Sequence, residues 1–547
     1  MPLSTSKDTW TEILKYFRVS LSCDNADDIK EKRRIILSIA LVCPELVDIA
    51  LDELWRSLTT LEPIISVFNA PLFESLLEYK GQYGGCWIVL PGKITIGLKS
   101  RVTSYLSRIK YLHFPRNLSS REYPLWNTLL STGFTGPLCP NLRGISIAGM
   151  DMPSQAYNLT ALASPSLQSI KLQADDTSGT VASSIILDTL NYHGMRMLDI
   201  TYTGYATYNV LLRIFQFSEL RSLTIRATQY QGDLLKSADV QTFGTLAHLT
   251  TLDISLDMFQ TDLHVARWIE NMEQLSILSL QGKWSTVCTC IQGRSFPAVQ
   301  SLSLILQKSD SRRSSHAASS HLSTIFNAFP SLHSLSLGYQ ANQIPNDPVI
   351  SPADISALKE RPLRRLEFRY IPLPLSDEDI IGIIQAWPML ERLSIISGSR
   401  SKPSSYDARK LLSYASHCAP CLHDMALPLD LSSLTPHYFV SSLSKCPLQR
   451  LELSRAQNLP RDLKGMHTLA RNLVSLFPRL HTVTSDDSDA GLKDLQMIVK
   501  FLQDVISSPP RRLDGSCISI TGPAVASYSM KLLESRGIVQ PRSSNLR

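Results

Sequence analysis

The chain has no long uncharged apolar run. Its most apolar stretch, residues 33–58 (RRIILSIALVCPELVDIALDELWRSL), carries Pro44, Glu45, Asp48, Asp52 and Glu53, whereas a spanning helix needs about 20 nearly uncharged apolar residues. No membrane span is expected. The opening residues, MPLSTSKDTWTEILKYF, lack a basic segment followed by an apolar core and a cleavage site, so a secretory leader is not expected either. The chain is therefore expected inside the cell, in cytoplasm or nucleus. Asn117 and Asn158 match the glycosylation pattern but carry no weight without secretion. Cysteine is sparse and irregular, ten in 547 residues, which excludes a disulfide framework and suggests thiols packed as small apolar groups.

Catalytic signatures are missing as well. There is no G-x-S-x-G, no phosphate-binding glycine loop, no G-x-G-x-x-G and no H-E-x-x-H, so no enzyme and no cofactor is expected. The segment HCAPCLH, residues 417–423, sets Cys418 and Cys421 at the spacing of a zinc knuckle. A structural zinc needs four ligands and no second C-x-x-C exists, so packing is expected there. Cys288 and Cys290 are expected in a loop or strand. Lys and Arg number 54 against 48 Asp and Glu, a net +6. That mild excess is spread along the chain, and no nucleic-acid partner is indicated.

What the chain does have is a period. An apolar residue, two others, an apolar residue, one other and an apolar residue recur as CPNLRGISI, SPSLQSIKL, SELRSLTI, AHLTTLDI, EQLSILSL, FPAVQSLSL, FPSLHSLSL, RPLRRLEF, WPMLERLSI, APCLHDMAL, CPLQRLEL and FPRLHTVT, with weaker copies RIKYLHF and GMRMLDI. From Ile109 to Leu480 the spacing averages about 28.5 residues, at the long end of leucine-rich repeats. The last two apolar positions alternate along a strand and point inward, and the residues between them point outward. Between strands lie stretches with helical spacing, at 208–215, 379–387, 408–415 and 469–477.

One strand and one helix cannot bury their apolar faces alone, but stacked copies share a continuous core. The expected fold is α/β, a leucine-rich-repeat-like solenoid with short parallel strands inside and helices outside. A generic α/β domain explains the repetition less well. Residues 492–506 and 511–522 are expected to close the C-terminal end, and the polar segment 308–321 to be a loop inserted in one repeat. Three residues after the motif stand Asp175, Thr228, Asp257, Lys283, Gln307 and Gln340. With no asparagine ladder, the turns must be held in another way.

The N-terminus breaks the period. The spacing predicts a first helix over residues 8–17, an acidic insertion at 22–32, and two helices meeting at Pro44, since the residue before a proline avoids helical backbone. The segments DTWTEILKYF and LSIALVCPELVDIALDELWRSL together resemble an F-box. With the repeats, the chain resembles the F-box and leucine-rich-repeat proteins common in mushroom-forming fungi. The Leu-Pro pair that usually opens the motif is replaced by Asp8-Thr9-Trp10.

The resemblance implies that Trp10, Ile13, Leu14, Phe17, Leu37, Leu41, Val42 and Cys43 include the residues facing the Skp adaptor of a cullin ubiquitin ligase. It implies a receptor subunit holding an unknown protein substrate on its repeats. The alternatives are a leucine-rich-repeat scaffold unrelated to ubiquitin, and helices that only cap the first repeats. The implied organisation is 1–62 helical motif, 63–105 connecting segment and cap, 106–525 solenoid and 526–547 tail. Outward strand positions are small and polar in the middle of the chain and charged later, at Arg365, Glu367, Arg369, Arg392, Arg450 and Glu452. Those six are the candidate substrate-binding residues, the arginines being suited to carboxylate or phosphate groups.

Overall fold

The computed structural model describes residues 7–19, 26–42, 44–60, 63–64, 67, 77–80, 86–89, 96–114, 137–149, 162–230, 246–256, 269, 272–307, 325–340, 350, 355, 361–371, 373–396, 405–434, 444–454, 458–484 and 490–507. Cys43, the segments 308–321 and 511–522, and the tail 526–547 lie outside them.

Three helices come first: α1 (Lys7–Lys15), α2 (Ala26–Val42) and α3 (Val47–Trp55). Between α2 and α3 a 3-10 turn spans Pro44–Leu46, where the proline predicts a break. The segment 22–32 is not all insertion, because α2 already begins at Ala26. Asp27 and Asp28 stand in its first turn, where carboxylates complement the positive end of the helix dipole.

Directly after α3 the chain enters a sheet of fifteen strands whose spatial order is the chain order. They are β1 (Ser57–Leu58), β2 (Tyr111–Phe114), β3 (Gly144–Ala148), β4 (Ser169–Ala174), β5 (Asp199–Ala206), β6 (Ser222–Tyr230), β7 (Thr251–Ser255) and β8 (Ile277–Lys283). The series continues with β9 (Ser301–Gln307), β10 (Ser334–Tyr339), β11 (Arg365–Arg369), β12 (Arg392–Ile396), β13 (Asp424–Leu427), β14 (Arg450–Leu453) and β15 (Thr482–Thr484). Neighbours pair in parallel, with the motif's apolar positions in register from Leu112↔Ile145 through Leu302↔Leu335 to Leu451↔Val483. The sheet therefore begins at Ser57, ahead of residue 106.

The residue before a strand offers its carbonyl to two N–H groups of the next repeat. Arg56 O accepts from Lys110 N and Tyr111 N, both at 2.9 Å, and His333 O accepts from Arg364 N and Arg365 N at 2.7 and 3.1 Å. The inward side chains form one core from Trp55 to Leu502. A leucine-rich-repeat-like solenoid is the result, as the period requires. One irregularity falls between β5 and β6, where the register shifts at Gly204. Its φ is +99° and a Cβ there would sit 2.0 Å from the Ala174 carbonyl oxygen, so only glycine fits.

Helices cover the inward side: α4 (Ile96–Leu106), α5 (Thr177–Tyr192), α6 (Tyr208–Ile214), α7 (Trp284–Ile291), α8 (Asp377–Ala386), α9 (Ala408–Cys418), α10 (Leu463–Leu476) and α11 (Ala490–Ser507). α11 packs along α10 and the last strand, closing that end of the stack. Cys288 and Cys290 belong to α7, not to a loop or strand, because Val287, Cys288 and Ile291 make a buried face at helical spacing.

Caps replace the missing asparagine ladder. The side chains of Asp176, Asp407 and Asp462 accept from the first-turn N–H groups of α5, α9 and α10, and Ser376 with Asp379 forms a capping box on α8. Two aspartates also tie repeats together: Asp407 accepts from Ser433 Oγ and Asp430 from Asn458 Nδ2, both at 2.8 Å. Among the described residues no helix is long and apolar enough to cross a membrane.

Candidate functional site

The N-terminal helices have a small core of their own. Leu14, Ile36, Leu46, Ile49 and Ala50 are buried together, with Trp10, Phe17, Ile39, Ala40 and Leu54 packed around them. Of the residues implied to face a partner, Leu14 is fully enclosed in this core, and Trp10 and Phe17 lean on it. Ile13 is half-buried. Leu37 is 47% exposed, Leu41 80% and Val42 84%. Helical geometry explains the division. On α2, Ile36, Ile39 and Ala40 face α1 and α3, while Leu37 and Leu41, four apart, share the opposite face. The run IILSIALV is apolar on both faces of one helix, and only one face is needed for packing.

Polar contacts hold the helices to one another and to the solenoid. Arg18 donates through Nε (3.2 and 3.1 Å) and Nη2 (2.9 Å) to the buried Glu53 carboxylate, and Arg56 lies 3.7 Å from it. Arg33 donates to the Ser57 carbonyl at 2.9 Å, and its burial lowers the guanidinium pKa. From the turn after α4, Arg108 donates to the carbonyl and carboxylate of Asp48, each at 2.9 Å, and to Asp52. The rings of Trp55 and Tyr105 pack with centroids 4.5 Å apart. Since α3 runs directly into β1, these contacts fix the helices in one orientation on the first repeats.

The charged end of the outward face forms a network. Arg364 and Arg365 lie 3.5 and 3.7 Å from Glu391, Arg369 and Arg392 lie 2.6 and 3.7 Å from Glu367, and Arg450 lies 3.7 Å from Glu452. The six candidate residues are thus brought onto three strands, β11, β12 and β14, with their charges largely matched within the face. Between β12 and β14, Ser394 and Ala426 floor a dimple rimmed by Arg392, Asp424, Arg450 and Glu452. Farther toward the N-terminus Ser279, Ser303 and Ser336 align across β8, β9 and β10. Arg226 donates from β6 to Asp253 on β7 at 2.9 Å. Register makes that pair, but a repeat reading that ends at the last apolar position misses it.

The cysteine-histidine segment does not converge. His417 Nδ1 lies 2.8 Å from the Ser413 carbonyl, and Cys421 Sγ lies 3.9 Å from Met389 Sδ. Among the described residues no group of three or more His, Cys, Asp and Glu side chains is placed to hold a metal ion. Cys139 and Cys288 are pushed up to about 12 by burial, which leaves them protonated and unreactive at neutral pH.

No protein-family model and no curated protein matches this chain. Among solved structures it is similar to that of the Rad7 and Elc1 complex in yeast, at 14% identity and a TM-score of 0.33, covering 55% of this chain and 80% of the other. It is also similar to a protein from Bacteroides fragilis, at 11% identity and a TM-score of 0.20, covering 56% and 69%.

Proposed function

We propose that this chain is the substrate receptor of a Skp/cullin/F-box-type ubiquitin ligase, with the helical unit docking on a Skp adaptor and the repeats holding a protein substrate. The observation that carries the reading is the outer face of α2, where Leu37, Leu41 and Val42 stand exposed on a helix whose other face is already packed. Apolar side chains on one helix face are the anchors of helix-mediated docking. In this reading the chain catalyses nothing itself and acts in cytoplasm or nucleus. Its contribution is geometry: the Arg33–Ser57 and Arg108–Asp48 contacts hold the helical unit on the first repeats, so that adaptor and substrate keep a constant relation and the substrate's effective concentration at the transfer site stays high.

The test is co-purification of the full chain with a recombinant Skp adaptor, beside a Leu41→Asp/Val42→Asp double variant. Both residues are solvent-facing, so the variant is expected to fold. Retention of the native chain and a loss of at least tenfold in the variant is the expected outcome. Absence of retention for the native chain, or equal retention of both, refutes the reading.

A further inference from the structure

On the outward face of β12, β13 and β14, three charged residues stand in one register row: Arg392 pairs with Asp424, and Asp424 with Arg450. All three line the dimple floored by Ser394 and Ala426, and Glu452 lines it too. An arginine on each side of a carboxylate is what cross-strand pairing favours, yet these charges do not pair along the row. Arg392 lies 3.7 Å from Glu367 and Arg450 3.7 Å from Glu452, both acids being in the next outward row. Among the described residues no ion pair engages the Asp424 carboxylate, and the side chains of Arg392, Asp424 and Arg450 make no hydrogen bond.

Elsewhere on this face the guanidinium forks are spent. Arg369 Nε donates to Glu367 at 2.7 Å, and Arg226 Nε to Asp253 at 2.9 Å. At the dimple the unspent groups are the accessible ones: the Arg392 and Arg450 side chains are 39% and 50% exposed, whereas Glu367 and Glu452, at 17% and 18%, lie deeper. What this part of the face presents is therefore cation, anion, cation, in that order along the stack. A single phosphate bridging both arginines would meet the Asp424 carboxylate between them. A buried small molecule does not fit either, because the dimple holds about 10 Å3, at the lower bound for one water and far below the roughly 300–1,000 Å3 of small-molecule sites.

We infer that Arg392, Asp424 and Arg450 dock an α-helix of a partner protein that carries acidic, basic and acidic side chains along one face. Each arginine fork receives a carboxylate, and Asp424 receives the cation between them. Spacing selects the helix. Neighbouring strands lie about 4.8 Å apart, so the row spans roughly 10 Å. On a helix, positions i, i+4 and i+7 share a face, and seven residues rise about 10.5 Å. Same-side positions i, i+2 and i+4 of an extended segment span about 13 Å and run out of step with the strands. The small floor of Ser394 and Ala426 lets the helix approach the sheet. Alternating charge also rejects partners of one sign, since a purely acidic helix sets a carboxylate against Asp424 and a basic one sets cations against both arginines. The inference rests on the reading of the repeats as the surface that holds a protein substrate, and not on adaptor docking by α2.

The experiment immobilises the full chain, with no adaptor present, and measures retention of pools of eighteen-residue alanine-based helical peptides with degenerate flanking positions. One pool carries Glu, Lys and Glu at i, i+4 and i+7. The others carry Lys, Glu and Lys or three Glu at those positions, or the first set of charges spread round the helix at i, i+2 and i+5. Retention of the Glu-Lys-Glu pool at least tenfold above Lys-Glu-Lys, and severalfold above the other two, is expected. Asp424→Lys should reverse the order of Glu-Lys-Glu and Glu-Glu-Glu, and Arg392→Gln/Arg450→Gln should bring all pools to one level. Lys171→Gln, at an exposed position on β4, should change nothing. Asp424→Asn keeps the side chain's shape and decides the matter should Asp424→Lys fail to fold, by erasing the advantage of Glu-Lys-Glu over Glu-Glu-Glu. Equal retention of Glu-Lys-Glu and Lys-Glu-Lys, of Glu-Lys-Glu and the spread set, better retention of Glu-Glu-Glu by the native chain, or an order indifferent to both Asp424 substitutions overturns the proposal. Because no adaptor takes part, such a failure is distinct from a failure of adaptor co-purification.

Discussion

His467 sits buried on α10, and burial followed by the charge of Arg471 holds its pKa below the ordinary value of 6.5. His113 is lowered in the same sense by burial and Lys171. Below pH 6.5 the unfolded chain therefore binds more protons than the folded one, and stability contributed by the neutral imidazoles is lost as pH falls from there toward their folded pKa values. Urea unfolding at pH 7 and pH 5 should show a loss of stability at the lower pH. His467→Gln should reduce that loss, and an unchanged difference between the two pH values would remove His467 from the account. At this scale the sequence is least explicit. Leu14 and Leu41 are both apolar residues in helical segments, yet one is enclosed and the other faces solvent, because enclosure depends on which helix packs where.

At the scale of elements, local chemistry was legible. The break at Pro44 and the helices at 208–215, 379–387, 408–415 and 469–477 all fall where proline geometry and apolar spacing put them. The aspartate caps were not anticipated, although Asp176, Asp407 and Asp462 are residues favoured at that position. Each accepts from first-turn N–H groups of its helix. Asp462→Ala removes the bond to Gly465 N at 2.9 Å and should cost about 1 kcal/mol, read as a lower urea midpoint with an unchanged slope. Asp462→Asn should retain most of the stability. The acidic start of α2 escaped because Asp27 and Asp28 read as an insertion on composition, whereas in place they complement a helix terminus.

The solenoid is close to one-dimensional: among the described residues, every strand of the fifteen-stranded sheet pairs there only with its neighbours in that sheet's order along the chain, so each repeat is stabilised by the two beside it. Leu302, at the centre of the register row Leu278–Leu302–Leu335, is buried. Leu302→Ala should cost about 2–5 kcal/mol. The loss should be local, with faster hydrogen exchange in β8, β9 and β10 and little change in β3 or β14. Uniform acceleration along the chain would mean that the solenoid unfolds as one unit.

The sequence by itself determined the solenoid. A motif repeated from Ile109 to Leu480 places an inward apolar pair on every strand, and only stacking of neighbours buries those pairs together. It also determined that the later outward positions are charged. Tertiary structure decided what those charges do. Arg365 and Arg392 find acids in adjacent repeats, while Lys110 and Arg143 find one another's backbones and, among the described residues, no ion pair. It likewise decided that Arg108 grips Asp48 across 60 positions of chain and that Leu41 is left uncovered. The physical reason is range. Periodicity and capping act over a few residues and are written in order along the chain, whereas ion pairing and exposure depend on which distant residues the stacking brings within a few ångströms.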